Sequence, residues 1–361
     1  MYHVTIVSHD CCLDRGWQHR PAGASLKAGV PLFVLLLIAL GGCSRVSGQH
    51  NGTALATTSA ISVPGSGRVG TTLVTEPQDG VKPIVRSIDA ASHFVFFEAY
   101  ILTQPGIVRA LERAAAQGIA VYVLLDPHPY GMGNQPGQMA SSLRAAGVLV
   151  RWTSPRYYFT HAKFFVIDDR LAVVSTANFS RAAFKSNREL LVFDRSRGDV
   201  HDLSNVFRSD WDHISDGPRN SDIVLSPDSR PILALFLKRA RRYLEVYAEE
   251  VADPALDSLL IQLHRRLRVE VLVAASYASP GLSELIRAGV AVRGLRHPYI
   301  HAKMFLEDGR VAFIGSENLS PTSLDLNREV GILVRGNTVL RASAIFSRDW
   351  ANATARPSAT R

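Results

Sequence analysis

One segment of the chain occurs twice, and this repetition restricts the fold more than any other feature of the sequence. Residues 160–193 (THAKFFVIDDRLAVVSTANFSRAAFKSNRELLVF) align without a gap with residues 300–333 (IHAKMFLEDGRVAFIGSENLSPTSLDLNREVGIL). The matched polar residues, each pair 140 positions apart, are His161, Lys163, Asp168, Asn178, Asn187, Arg188 and Glu189 and then His301, Lys303, Asp308, Asn318, Asn327, Arg328 and Glu329. A constant offset of this kind indicates a duplicated structural unit.

The residues before each copy predict the same order of strand, helix and strand. The first half has these elements at residues 94–102, 106–117 and 119–125, and the second half has them at residues 244–251, 254–266 and 269–274. Each half then has a short helix that closes on an Ala-Gly pair. Alternation of this type predicts an α/β protein built from βαβ units, with a largely parallel sheet.

The repeated histidine and lysine predict chemistry on an anion. His161 and Lys163 are two positions apart in a strand-like run, so both side chains leave one face of the strand. Two groups that can both be cationic repel each other there, and an anion between them reverses the sign of that cost. Phosphoryl transfer needs cationic donors around phosphate oxygens, a nucleophile in line with the leaving group, and a proton donor. Two such pairs, if they converge, contain all of these groups.

The duplicated pattern resembles the phospholipase D superfamily, whose motif is H-x-K-x4-D-x6-G-[GS]-x-N. The second copy fits throughout and ends in Gly315-Ser316-Glu317-Asn318, whereas the first copy has Ser175 in place of the first glycine. The resemblance covers about residues 80 to 350. It implies two α/β/α halves with mixed, largely parallel sheets, related by pseudo-twofold symmetry, with the active site at their interface.

The resemblance also implies roles for the matched residues. One histidine attacks phosphorus, and the other protonates the leaving alcohol and then activates water or an acceptor alcohol. We expect His161 to be the nucleophile and His301 the acid and base. The full expected catalytic set is His161, His301, Lys163, Lys303, Asn178, Asn318, Glu189 and Glu329.

Within that set, the lysines and asparagines are expected to bind the phosphate, and the glutamates to accept a hydrogen bond from the far ring nitrogen of a histidine. Asp168 and Asp308 are expected to be structural. Glu98 and Glu249, which we take to stand at matching places after the first strand of each half, could face the site or satisfy backbone groups. The sequence contains no cluster with metal-ligand spacing, so we expect neither a metal nor a cofactor.

The N-terminus is typical of an export signal. Basic residues precede an apolar run at residues 30–40 (VPLFVLLLIAL), which is too short to span a bilayer comfortably. The run ends in Leu40-Gly41-Gly42-Cys43, which resembles the bacterial lipobox. We therefore predict a signal peptide over residues 1–42, lipidation of Cys43, and a membrane-anchored protein at the periplasmic face. An uncleaved anchor helix is the alternative, and the long stretch before the run leaves the true start codon open.

The remaining boundaries follow from composition. Residues 43–75 begin with a run rich in Ser, Gly, Thr and Ala and are predicted to be a flexible tether. We place the two halves at residues 76–215 and 216–352, and a loose tail at residues 353–361.

The resemblance implies an anionic phosphodiester as the substrate, and the formal net charge of +8 favours an anionic partner. The leading hypothesis is a phosphoric diester hydrolase that removes phospholipid headgroups, with possible transfer, because a lipid anchor would hold it at a bilayer. A metal-independent endonuclease of the same superfamily is the alternative, and a cardiolipin synthase-like phosphatidyltransferase and an inactive binding lipoprotein are further ones. Aromatic and apolar residues flank both motifs and favour lipid: Trp152, Tyr157, Tyr158, Phe159, Phe179, Phe184, Pro298, Tyr299 and Ile300. Basic residues interrupt that pattern: Arg151, Arg156, Arg181 and Lys185.

The lipobox interpretation gives a direct prediction. In a bacterial host that acylates lipoproteins, the unmutated protein should incorporate labelled fatty acid and Cys43→Ser should not, because the acylated thiol is absent. Metabolic labelling followed by immunoprecipitation measures this. Equal labelling of both proteins, or of neither, would leave a plain signal peptide or an anchor.

Overall fold

The structure is a computed structural model that describes residues 70–214, 217 and 222–356. The predicted signal peptide, Cys43, the tether up to residue 69 and the tail from residue 357 lie outside the described residues. Among the helices in the described ranges, none is both long and apolar enough to cross a membrane.

The first half forms one sheet with helices on both faces. Its strands are β1 (Thr71–Glu76), β2 (Phe94–Ala99), β3 (Ala120–Leu125), β4 (Leu149–Trp152), β5 (Lys163–Ile167), β6 (Leu171–Ser175) and β7 (Asn187–Asp194). Its helices are α1 (Lys82–Asp89), α2 (Pro105–Ala116), α3 (Gln135–Ala145), α4 (Arg181–Lys185) and α5 (Arg197–Trp211). The strand order is β1-β7-β6-β5-β2-β3-β4.

The second half repeats this plan. Its strands are β8 (Ile223–Ser226), β9 (Tyr243–Tyr247), β10 (Arg268–Ala274), β11 (Ala291–Leu295), β12 (Tyr299–Ile300), β13 (Met304–Glu307), β14 (Val311–Gly315), β15 (Glu329–Arg335) and β16 (Thr354–Ala355). Its helices are α6 (Arg230–Lys238), α7 (Pro254–His264), α8 (Pro280–Arg287), α9 (Pro321–Asp325) and α10 (Asn337–Asn352). The strand order is β16-β11-β10-β9-β13-β14-β15-β8, and β12 leaves this sheet to pair with β7 of the first half.

Both sheets are mixed, as predicted, but the expectation that they are largely parallel is wrong. Parallel pairs join β2, β3 and β4, and β9, β10 and β11, where helices make the crossovers. The motif strands β5–β6–β7 and β13–β14–β15 pair antiparallel. The reason is a turn too short for a crossover: Asp168 and Asp169 between β5 and β6 have φ values of 53° and 49°, and Asp308 and Gly309 have 53° and 69°.

Two predicted boundaries also change. Strand β1 pairs antiparallel with β7 from Thr71↔Asp194 onwards, so residues 71–75 belong to the first sheet and not to the tether. The Thr- and Val-containing run of β1 has high strand propensity and buries Leu73, which composition averaged over the whole tether does not reveal. At the other end, β16 pairs with β11, so the sheet includes Thr354 and Ala355 of the predicted tail.

Buried apolar side chains form a central cluster and two outer ones. The central cluster lies between the sheets and contains Phe164 and α5 residues of the first half together with Met304 and α10 residues of the second. Along β5 the side chains alternate, because Phe164 belongs to the central cluster and Phe165 to the outer cluster of the first half. The shared central cluster makes the two halves one hydrophobic unit.

Two buried ion pairs cross between the halves. Arg188 on β7 binds Asp349 on α10, with 2.5 Å between Nε and Oδ2, and Arg328 binds Asp210 on α5, with 2.9 Å between the same atoms. The hydroxyl of Tyr247 donates a further hydrogen bond to Asp349. Each aspartate precedes a tryptophan near the end of its helix, so the repeated Asp-Trp was a signal in the sequence that the motif alignment did not include.

Removal of one partner should be costly, because it leaves a buried charge without a counter-ion. We expect Arg188→Ala to lower the free energy of unfolding by about 3–5 kcal/mol, measured by denaturant titration. Arg113→Ala is the control, because its pair with Asp89 is exposed, with 47% and 42% of the two side chains accessible; its cost should stay below about 1 kcal/mol. Equal losses in the two variants would show that the ion pair between the halves is not a main support of the fold.

Candidate active site

The segment before each histidine pairs with the other half of the molecule. Strand β12 runs parallel to the start of β7, with Tyr299↔Asn187 and Ile300↔Arg188. The equivalent segment of the first half makes a parallel bridge from Thr160 to Arg328, and the backbone N–H of His161 donates to the carbonyl of Arg328 at 2.8 Å. This exchange places each histidine beside the glutamate that follows the arginine of the other half.

Each histidine is therefore bound by a carboxylate from the opposite half. Nδ1 of His161 lies 2.9 Å from Oε2 of Glu329, and Nδ1 of His301 lies 2.8 Å from Oε1 of Glu189. Both glutamates are fully buried. Spacing along the chain does not reveal this exchange, because pairing within a half and pairing between halves fit the repeat equally well. A carboxylate at Nδ1 fixes the ring so that Nε2 is the reactive atom.

The two glutamates are each held by one hydroxyl and one amide donor, of which only the amides occupy equivalent positions in the repeat. The hydroxyl of Thr176 donates to Glu189 at 2.7 Å, and the hydroxyl of Ser323 donates to Glu329 at 2.7 Å. The amides Asn187 and Asn327 also donate to them, at 3.2 Å and 3.0 Å. Burial raises the pKa of Glu329, but the nearby His161 and Lys163 outweigh it and leave that pKa lower than usual.

On the first-half side, His161 is neutral at physiological pH. Burial lowers its pKa to about 4, against the opposing effect of Glu329 and with a further contribution from Lys163. The ammonium group of Lys163 donates to the carbonyl of His161 at 2.6 Å, and burial lowers the pKa of Lys163 to about 7. With Nδ1–H donating to Glu329, Nε2 of His161 carries a free lone pair, which is the form that a nucleophile needs.

On the second-half side, a third carboxylate enters the site. Lys303 donates to the carbonyl of His301 at 2.8 Å, and its ammonium group also forms an ion pair with Glu249. Oε1 of Glu249 lies 3.4 Å from Nε2 of His301. Burial raises the pKa of Glu249, but His301 and Lys303 outweigh it and lower that pKa to about 2, so this carboxylate is ionised.

Glu249 and Glu98 do not occupy matching positions, which corrects the sequence alignment of the first strands. Glu98 faces Phe164 across β2 and β5, as Tyr247 faces Met304 across β9 and β13. The counterpart of Glu98 is thus Tyr247, two positions before Glu249. The sequence alignment of these strands was displaced by two residues, because it paired Glu98 with Glu249 and did not follow the order of the apolar residues.

Tyr100 is the structural counterpart of Glu249. Its ring packs edge-on against His161, with 4.7 Å between the ring centroids, and Lys163 lies over it. Glu98 lies elsewhere: it is fully buried, and neither of its carboxylate oxygens accepts a hydrogen bond from a described residue. Burial, with the charge of Asp210, raises its pKa well above the usual range, so Glu98 is a buried neutral acid.

The side-chain amide oxygens of the two asparagines have no hydrogen-bond partner among the described residues. Oδ1 of Asn178 and Oδ1 of Asn318 are buried and accept no hydrogen bond within the described part of the chain. The backbone N–H of Asn318 donates to Ser323, the residue that also holds Glu329. The backbone of Asn318 is thus tied to the residue that holds Glu329, and the amide oxygens of both asparagines have no partner among the described residues.

Ser175, the one departure from the family motif, is accommodated locally. Its hydroxyl accepts a hydrogen bond from the backbone N–H of Ala177 at 2.9 Å. In the second half, a Cβ atom at the equivalent Gly315 would lie 2.3 Å from Glu317 and 2.5 Å from Gly331. In the second half, both the Glu317 carboxylate and the backbone of Gly331 leave no room for a side chain at this position.

Asp168 and Asp308 bind backbone. The carboxylate of Asp168 accepts hydrogen bonds from the N–H groups of residues 92–94 at 2.7–2.8 Å. The carboxylate of Asp308 accepts them from residues 241–243 at 2.8–3.0 Å. These bonds join the motif turns to the starts of β2 and β9. Within the described residues, no group of three or more His, Cys, Asp or Glu side chains is arranged to hold a metal ion.

The residues that flank the motifs divide into core and rim. Phe179, Phe184 and Ile300, which we expected beside the substrate, are buried in the apolar clusters. Tyr158 and Tyr299 are exposed, with 66% and 39% of the residue accessible. The hydrophobic pattern of the sequence does not distinguish the buried from the exposed residues here, because the segments that flank the motifs are irregular loops.

This doubled arrangement of histidine, lysine, asparagine and glutamate defines a two-domain phosphodiester-processing enzyme. The family model described as "Cardiolipin synthase, PLD-like domain" matches residues 84–211 and again residues 233–350. The chain belongs to the phospholipase D superfamily and contains two PLD-like domains.

Several known proteins are similar to this chain. Cardiolipin synthase B of Salmonella typhi is 25% identical over 322 residues, which cover 71% of this chain and 74% of that protein. Cardiolipin synthase A of Pseudomonas entomophila is 26% identical over 313 residues, which cover 73% of this chain and 64% of that protein. The crystal structure of phosphatidylserine synthase from Haemophilus influenzae superposes with a TM-score of 0.62 and 13% identity, and covers 79% of this chain and 87% of that one. The crystal structure of polyphosphate kinase from Porphyromonas gingivalis superposes with a TM-score of 0.63 and 18% identity, and covers 78% of this chain and 50% of that one. The structural matches establish the fold.

The low pKa of His161 predicts a pH-dependent stability. Because the pKa is about 4 in the folded state and 6.5 for a free side chain, the unfolded chain binds more protons between these values. The free energy of unfolding should therefore fall as the pH falls from 6.5 towards 4. Between pH 7 and pH 5 we expect His161 to account for a loss of about 1–2 kcal/mol.

Denaturant titrations at the two pH values measure this loss. The drop should be smaller by that amount in His161→Asn, whereas a control at the exposed loop residue His128, His128→Asn, should keep the drop of the unmutated protein. The same drop in His161→Asn and in the unmutated protein would contradict a buried neutral His161.

Proposed function

We propose that this protein is a phosphatidyl-transferring enzyme that forms a phosphatidyl-histidine intermediate on His161 and passes the phosphatidyl group to an alcohol. The observation that carries the proposal is the pair of histidines whose Nδ1 atoms are bound by buried carboxylates exchanged between the halves. The arrangement provides two oriented Nε2 atoms, two lysines and two asparagine amides for one phosphate.

The proposed reaction has two steps. First, Nε2 of His161 attacks phosphorus, the bond to the leaving alcohol breaks, and His301 gives that oxygen a proton. Second, His301 takes a proton from the incoming alcohol, whose oxygen attacks phosphorus and displaces His161. The buried Lys163 and Lys303 stabilise the negative charge on the phosphate oxygens in both steps.

Transfer is favoured over hydrolysis by the relatives. The two relatives found by sequence are named cardiolipin synthases. In cardiolipin, two phosphatidyl groups are joined through one glycerol. An enzyme that makes such a product passes phosphatidyl to a hydroxyl of a second phospholipid. Hydrolysis, our leading hypothesis from the sequence, is the same reaction with water as the acceptor.

Lipid is favoured over nucleic acid by the rim. The backbone N–H of Tyr158 donates to the carbonyl of Leu326, and both residues are exposed, with 66% and 53% accessible. Apolar side chains that project beside the histidine segments suit acyl chains and the bilayer interface. Arg151 and Arg156 are engaged within the protein, by Asp212 and by the carbonyl of Ile214.

An endonuclease is the second candidate, because one surface depression is basic. Arg109, Arg181 and Lys185 line an open depression of about 420 Å³ beside α4. Such a surface attracts the phosphates of nucleic acid and of anionic lipid alike.

We further propose that the protein is exported and anchored through Cys43, which would place this surface and the rim at a bilayer.

The activity can be tested with both substrate classes. Mature protein should convert phosphatidylglycerol in vesicles to cardiolipin and glycerol, and should leave single- and double-stranded DNA intact, as read by mass spectrometry and gel electrophoresis. We expect the activity to persist in EDTA, because the nucleophile, the acid and the phosphate ligands are side chains. Release of glycerol with phosphatidic acid as the sole lipid product would favour hydrolysis, and cleavage of DNA alone would favour the nuclease.

The two histidines should differ in kinetics although they match in sequence. His161→Asn should be inactive on every substrate because the nucleophile is absent. His301→Asn should lose activity on phosphatidylglycerol but retain a measurable rate of nitrophenol release from a nitrophenyl phosphodiester, whose leaving group needs no proton. The reverse pattern would assign the nucleophile to His301.

A further inference from the structure

The two halves present chemically different groups beside their reactive histidines. Next to His161 stands Tyr100, an aromatic ring whose hydroxyl accepts a hydrogen bond from the backbone N–H of Tyr130 at 2.7 Å. At the same structural position next to His301 stands the carboxylate of Glu249. The catalytic residues are duplicated, and this position is not.

Glu249 lies on the side where alcohols bind and leave. His301 is the histidine that exchanges a proton with the alcohol, and Oε1 of Glu249 is 3.4 Å from its Nε2. The side chain of Glu249 is 22% exposed, and its Oε2 is buried against Lys303, so Oε1 is the oxygen available to a ligand beside His301. Any alcohol oxygen that binds Nε2 of His301 must therefore lie next to this carboxylate.

The position of the carboxylate restricts which alcohols fit well. Two polar substituents on neighbouring carbons are separated by about the length of one hydrogen bond. An alcohol whose oxygen contacts Nε2 of His301 can thus direct a hydroxyl or ammonium group on the adjacent carbon to Glu249. A monohydric alcohol has no donor there. It leaves Oε1 of Glu249 without a hydrogen bond, although Oε2 stays paired with Lys303, and an unmatched acceptor is unfavourable in a partly buried site.

We propose that Glu249 is the residue that selects the alcohol, by accepting a hydrogen bond from a hydroxyl or ammonium group on the carbon next to the reacting oxygen. This inference rests on the proposed function and names its acceptor class: 1,2-diols and 2-amino alcohols. In the transfer step the acceptor oxygen forms the new bond to phosphorus, the bond from phosphorus to Nε2 of His161 breaks, and the acceptor proton passes to Nε2 of His301.

The test measures a product ratio, which is independent of how much of the protein is active. Phosphatidyl-nitrophenol in vesicles forms the intermediate, and 1,2-propanediol and 1-propanol compete for it at equal concentrations. The unmutated protein should prefer the diol, and Glu249→Gln should lower that preference about fivefold, because a neutral acceptor makes a weaker hydrogen bond than an ionised one. A second pair of competing alcohols is 2-aminoethanol and ethanol. If the ammonium group is preferred to the hydroxyl, the ratio for this pair should fall further in Glu249→Gln than the ratio for the diol, because the variant has lost the carboxylate charge.

Glu250→Gln is the matched control. It makes the same substitution at the next residue, whose side chain hydrogen-bonds Ser320. Its product ratio should equal that of the unmutated protein. An unchanged ratio in Glu249→Gln, or an equal fall in Glu250→Gln, would overturn the selection role while the transfer function stands.

If water is the only acceptor, the transfer function fails. The role of Glu249 is then tested with phospholipids that differ in their leaving alcohol. The ratio of kcat/KM for phosphatidylglycerol to that for phosphatidylpropanol should then fall about fivefold in Glu249→Gln, because the leaving alcohol occupies the same side of the site. The same ratio in the variant and the unmutated protein would overturn the inference in that case also.

Discussion

The active site depends on the hydrogen bond between each reactive histidine and a buried glutamate of the other half. Glu329 holds His161 and Glu189 holds His301, so neither half contains a complete unit. The cost of burying these carboxylates is offset by hydrogen bonds from hydroxyl and amide donors, and by the histidines and lysines they face. The interface between the halves is therefore at once the main packing surface and the catalytic centre.

The same contacts explain why the halves stay together. Strand β12, before His301, pairs with the start of β7, and Thr160, before His161, makes a bridge to Arg328 just ahead of β15. The arginines at these two places bind aspartates on α10 and α5. The central apolar cluster fills the space between the sheets. Backbone pairing, ion pairs and apolar contacts thus converge on one short stretch of each half, the Asn-Arg-Glu near the end of the repeat.

Symmetry in sequence does not mean equivalence in chemistry. Burial makes His161 a neutral imidazole, while His301 lies between Glu189 and Glu249. At a position outside the motif, Tyr100 in one half is replaced by Glu249 in the other. In the proposed mechanism, duplication supplies the phosphate-binding groups, and divergence at this position distinguishes the nucleophile from the histidine that handles the alcohol.

The sequence was sufficient for the parts of this account that depend on local pattern. The repeat and the strand and helix periodicities predicted two α/β halves, and the spacing of His161 and Lys163 predicted that they act together. The antiparallel motif strands were missed because short, three-residue turns that begin at Asp168 and Asp308 override the alternation that suggested crossovers. The exchange of glutamates and the correspondence of Tyr100 to Glu249 depend on contacts between distant residues and on strand register, which no single half of the sequence contains.

The central claim is that one phosphatidyl group is carried covalently by a histidine of the first half, in a site completed by the second. The most direct measurement is rapid quenching of the enzyme during turnover of a phospholipid labelled in its phosphate, followed by peptide mapping under alkaline conditions, in which phosphohistidine is stable. The account predicts label on the peptide that contains His161, and no label there in Glu329→Ala, where the buried partner is lost. Label on the His301 peptide alone, or turnover without any labelled histidine, would contradict it.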